Sequence, residues 1–122
     1  MNKIPSEEDF NQASKLMEQR ANGLETVRGI VKKHFKSICP MHEFYILPQR
    51  DVNYRAYVFY ENTNDIHECD ANGVSDLISV FVCEKLELLS LQKRGELKIA
   101  FEFDSHENVN SKFDGDYFLR MR

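Results

Sequence analysis

Between Phe10 and Ile38 apolar residues return every three or four positions: Phe10, Ala13, Met17, Ala21, Leu24, Val27, Val31, Phe35 and Ile38. Residues so spaced stand above one another on one side of an α-helix, so a single face can be buried along the run. Pro5-Ser6-Glu7-Glu8-Asp9 reads as its entrance, because Ser6 can accept from the first-turn amides and the acids suit the positive helix end. A helical arm is predicted over 6–37. It is bent or broken at Asn22-Gly23, where glycine weakens a helix interior and favours a stop. Pro40 ends it.

The period then changes. Phe44-Tyr45-Ile46-Leu47 is a short aromatic and branched run before Pro48, and Tyr54 to Tyr60 sets Tyr54, Ala56, Val58 and Tyr60 against Arg55, Tyr57 and Phe59. Both read as strands, joined as a hairpin through the polar residues 49–53. Asn62 or Thr63 can cap a short helix through Ala71, with Asn72-Gly73 as a left-handed stop. Ser75 is expected to cap the next helix, whose stripe Leu77, Ile78, Phe81, Val82, Leu86, Leu88 and Leu89 makes it the main cover of the sheet. Glu96 to Asp104 alternates strictly, with Leu97, Ile99, Phe101 and Phe103 toward the core and Glu102 and Asp104 toward water. Ser105 to Gly115 reads as a polar loop ending in an Asp114-Gly115 turn. Asp116 to Arg122 alternates again and predicts a last strand.

The order is helical arm, two strands, helices, two strands. Stacking the helices on one side of an antiparallel sheet hides the apolar faces most simply. The expected fold is therefore one α+β domain over 1–122, a two-layer sandwich with the helical arm and central helices on a mostly antiparallel four-stranded sheet.

Composition narrows the function classes. The chain has 122 residues, is 42% hydrophobic and has three cysteines, an odd number for a disulfide framework, which fits a reducing compartment. No apolar run approaches a membrane span and the N-terminus lacks the basic-then-apolar pattern of a secretion signal, so a cytoplasmic location is expected. Residues 1–61 carry nine basic and eight acidic side chains and residues 62–122 carry seven and twelve, so the formal charge of −4 arises in the second half. That distribution argues against binding a phosphate backbone and favours a basic protein partner.

No cofactor motif is present: the chain has neither a P-loop nor an H-E-x-x-H helix, and His67-Glu68-Cys69 lacks the P-C-x-x-C that completes a zinc deaminase. Cys39, His42, His67 and Cys69 have ligand types that suit zinc, but their spacing favours packed thiols and surface histidines. Cys83 falls within an apolar stripe and reads as core. Asp104, His106 and Glu107 emerge where a strong strand ends. With His42 or His67 they define the enzyme alternative, a small metal-dependent hydrolase, against the simpler reading of a solvated loop. Tyrosines and phenylalanines outnumber what one sheet face can hide, and beside carboxylates they compose a protein interface. The candidate partner contacts are Tyr57, Phe59, Glu61, Glu102, Asp104, His106, Glu107, Asp114, Asp116 and Phe118. A homodimer through the aromatic face is the remaining alternative.

At Tyr54-Arg55-Ala56-Tyr57-Val58-Phe59-Tyr60, at Phe101-Glu102-Phe103-Asp104-Ser105-His106-Glu107-Asn108-Val109 and at Asp116-Tyr117-Phe118-Leu119-Arg120, the chain resembles the small immunity proteins of bacterial polymorphic toxin systems. The resemblance covers about half of the chain and also draws on size, acidity and the lack of a catalytic set. It implies a cytoplasmic, non-enzymatic inhibitor that occludes the active site of a cognate toxin domain of the contact-dependent kind, often a basic nuclease. It carries over no individual residue.

Overall fold

The computed structural model describes residues 23–49, 52–88 and 98–122. Residues 23–35 form α1, and its stripe Leu24, Val27, Val31 and Phe35 is buried as the helical spacing requires. The arm upstream, including its continuity through Asn22-Gly23, lies outside the described residues. The hairpin follows as β1 (Met41–Pro48) and β2 (Tyr54–Tyr60), antiparallel, with Phe44 opposite Val58, Tyr45 opposite Tyr57 and Ile46 opposite Ala56. β1 is longer than the aromatic run alone suggested, and its register shifts between Met41 and Glu43.

Helix α2 (Thr63–Ala71) begins after Asn62, whose backbone N–H donates to Asp65 Oδ2 at 2.9 Å. It ends at Asn72-Gly73, where Gly73 takes φ +84°, the left-handed stop expected. Helix α3 (Val74–Leu88) starts before Ser75, so the cap expected from Ser75 does not form, and the Val74 N–H donates to the Asn72 side-chain oxygen at 3.0 Å. Ser75 lies inside the first turn, buried, with its hydroxyl 2.8 Å from the Tyr60 hydroxyl. Ile78, Val82 and Leu86 are the buried positions of α3, while Leu77 and Leu88 face outward, so its buried stripe is narrower than the apolar pattern.

Strand β3 (Ile99–Ser105) pairs with β2 in parallel, from Tyr54 opposite Ile99 to Tyr60 opposite Ser105. The sheet order is β1-β2-β3, mixed rather than mostly antiparallel. The cause is the length of the crossover. The 15 residues of α3 rise about 22 Å, close to the roughly 23 Å of a seven-residue strand, and so return the chain to the end where β2 began.

The C-terminal expectations fail together. The loop predicted over 105–115 is helix α4 (His106–Phe113), and the predicted last strand over 116–122 is helix α5 (Tyr117–Arg120). The sheet therefore has three strands among the described residues, not four. Ser105 caps α4 by accepting from the Asn108 N–H at 3.0 Å, and Asp116 caps α5 by accepting from the Leu119 N–H at 3.0 Å. Between them Asp114 (φ 51°) and Gly115 (φ 78°) make the anticipated turn.

The α+β class holds, but helices lie on both faces of the sheet rather than one. Phe44, Ile46, Tyr54, Ala56, Val58 and Tyr60 join α1 and α3 in the larger core. On the other face Tyr57 and Phe59 pack with Val109 of α4, and Tyr45, Phe113, Tyr117 and Met121 close around them. The central strand is apolar on both faces and must be covered on both.

Candidate functional site

The residues singled out from sequence gather around the C-terminal ends of β2 and β3, where α4 and α5 cover the second sheet face. Asp104 leaves β3 on that face and is only 8% exposed, not turned to water as alternation implied. Arg120 Nε of α5 donates to its Oδ2, and Asn108 Nδ2 and the Ser105 N–H also donate to the carboxylate, at 3.0 and 2.8 Å. Glu102 continues the chain of charge, pairing with Arg55 at 3.1 Å and with Arg120 at 3.4 Å. These acids hold α5 against the sheet, and the oxygens of the nearly buried Asp104 are engaged internally.

His106 has both ring nitrogens engaged. Nδ1 lies 2.6 Å from the Tyr117 hydroxyl and Nε2 lies 3.0 Å from Asn110 Nδ2. The ring stacks on His42 of β1 with centroids 3.8 Å apart. His42 Nδ1 in turn donates to Glu61 Oε1 at 3.0 Å. Burial pushes the Tyr117 hydroxyl up to about 12, reinforced by the charges of Glu43, Tyr45, Glu61 and Asp104, so it stays protonated.

Glu107 points elsewhere, accepting from the Thr63 N–H at 3.1 Å, and that bond holds its carboxyl below the ordinary value. Asp104, His106 and Glu107 thus diverge into three networks. No group of three or more metal-ligating side chains converges among the described residues. Cys39 and Cys69 lie near each other against one core, with Cys39 bonded to the Phe35 carbonyl, but His67 is exposed and His42 serves Glu61, so the four do not form one ligand set.

Of the remaining candidate contacts, Tyr57 and Phe59 are 4% and 0% exposed beneath α4 and α5, so they are core rather than anchors. Glu61, Glu107, Asp114, Asp116 and Phe118 are exposed. Phe118 is 76% exposed and its neighbour Leu119 45%, an apolar pair at the molecular surface between the carboxylates of Asp114 and Asp116 and the ion-paired Arg120. Tyr117, Leu119 and Arg120 were not among the candidate contacts, and His42 was read only as a ligand or catalytic group. The available signal was the spacing of Tyr117 and Met121, four apart, which turns Phe118 and Leu119 outward on a helix.

Comparison with protein-family models, with characterised proteins and with solved structures finds no match to this chain. No described helix is long and apolar enough to cross a membrane.

Proposed function

We propose that the protein is a non-enzymatic, protein-binding inhibitor that neutralises a cognate toxin domain in the manner of an immunity protein. The observation that carries this reading is the Phe118-Leu119 pair, held outward on a short helix that is capped by Asp116 and tied down by Arg120. An exposed aromatic on a fixed backbone loses little freedom on binding, and rim carboxylates steer a basic partner and set register. Asp114 and Asp116, both exposed and next to the pair in the chain, supply that charge. Inhibition proceeds by occlusion: the carboxylates take the place of the phosphates that a nuclease grips, and Phe118 sets the dissociation rate.

Affinity capture from the native host with the tagged protein and with Phe118→Ala, at low and high salt, tests this. The expected result is one stoichiometric basic partner, retained less at high salt, whose toxic activity the protein abolishes. Phe118→Ala is expected to weaken binding by about 2 kcal/mol, roughly 30-fold. A captured partner whose activity is untouched at stoichiometric excess refutes inhibition, and self-association alone favours the homo-oligomer.

A further inference from the structure

His42 also lines a cavity of about 390 Å³ whose other walls are Lys32, Lys33, Lys36 and Met41. The sequence builds it from the outward side of α1. Val27, Val31 and Phe35 face the core, which turns Lys32, Lys33 and Lys36 away from it, and the Lys36 N–H still bonds to the Lys32 carbonyl at 3.1 Å. Three amines therefore share one helical surface beside the start of β1.

Their charge is under-compensated. Glu43 is shared, taking Lys32 at 2.7 Å and Arg28 at 2.7 Å. Among the described residues Lys33 and Lys36 form no ion pair and no carboxylate lines the cavity, Glu61 standing behind the His42 wall. An anion placed there relieves the repulsion among the ammonium groups. The walls add direction: Met41 offers an apolar surface, and the His42 ring is fixed by stacking on His106 and by Glu61 at Nδ1, which leaves Nε2 for a ligand. The volume falls within the roughly 300–1,000 Å³ of small-molecule sites. Lysine ammonium groups, as point charges, suit a doubly charged phosphate.

We propose that this cavity binds a small phosphate monoester carrying a flat ring, of mononucleotide size, with the phosphate on Lys33 and Lys36 and the ring against Met41 and His42. The proposal does not rest on the inhibitor reading.

The test is an NMR titration of the full chain with AMP as probe, read at the Met41 methyl and the His42 ring, with adenosine and inorganic phosphate as comparison arms. AMP is expected to saturate with a Kd of about 0.1–1 mM at low salt, and each comparison ligand to bind at least about tenfold more weakly. Lys33→Ala/Lys36→Ala is expected to weaken AMP by about tenfold or more while its amide spectrum away from α1 stays unchanged, since both side chains are exposed. Absence of saturation by about 10 mM AMP overturns the proposal. So does AMP binding that the double variant leaves intact, or phosphate binding as tightly as AMP.

Discussion

The three thiols show how surroundings set a residue's chemistry. Burial pushes the Cys39 thiol up to about 11, with Cys69 nearby adding to it, and its Sγ donates to the Phe35 carbonyl at 3.6 Å. Burial also raises Cys69, and it raises Cys83 together with the charges of Glu87 and Glu84. The thiolate is the reactive form, so all three should be slow nucleophiles at neutral pH. A disulfide-exchange reagent at pH near 7.5 is expected to titrate them slowly in the folded protein and rapidly after unfolding. One thiol reacting at the unfolded rate in the native state would refute this. Cys83, read from the sequence as core, is only half-buried and lies beside the buried stripe Ile78, Val82 and Leu86 rather than in it. The role of Asp104 could not be read from the sequence, because its partner Arg120 stands sixteen positions away and only the fold brings them together.

Elements with a strong period were legible and short ones were not. β2 has the bounds that alternation gave it, and the predicted helical stripe is buried at Leu24, Val27, Val31 and Phe35 but not at Ile38, which is exposed beyond the end of α1. α5 was misread because four residues do not separate period 2 from period 3.6, and α4 because a polar segment with few apolar positions reads as a loop; caps at Ser105 and Asp116 mark both helices. The docking of α5 rests on Arg120, whose loss strands the nearly buried Asp104. Arg120→Ala is expected to cost about 2–4 kcal/mol, within the range for breaking a shielded pair from one side. Hydrogen exchange should show the loss first at residues 117–121, with the β1–β2 ladder still protected. Protection lost uniformly across the sheet would show that α5 is not a separate docking unit. The same variant separates scaffold from surface, since it loosens Phe118 without altering it.

At the scale of the molecule, α1 is fastened to the sheet by polar contacts as well as by its apolar stripe. Arg28 donates to the Phe44 carbonyl at 2.7 Å, and Glu43 of β1 receives Arg28 and Lys32. Burial pushes the Glu43 carboxyl up, but hydrogen bonds from Lys32 and the Phe44 N–H and the charges of Arg28 and Lys32 outweigh it and hold the carboxyl below its ordinary value. A carboxyl lowered in the folded state stabilises the fold above its unfolded pKa of about 4.3 and loses that contribution as pH falls through the folded value. Unfolding free energy should therefore decline on acidification below about pH 4.5, as the unfolded chain takes up the proton first. Glu43→Gln removes this linkage. It should be less stable than the parent at pH 7, because Arg28 and Lys32 lose their shared anion, and its stability should fall less steeply with acid, by at most about one proton in slope. Denaturant melts across that range decide it: converging curves place Glu43 in the linkage, whereas parallel curves would mean that the acid response comes from other carboxylates.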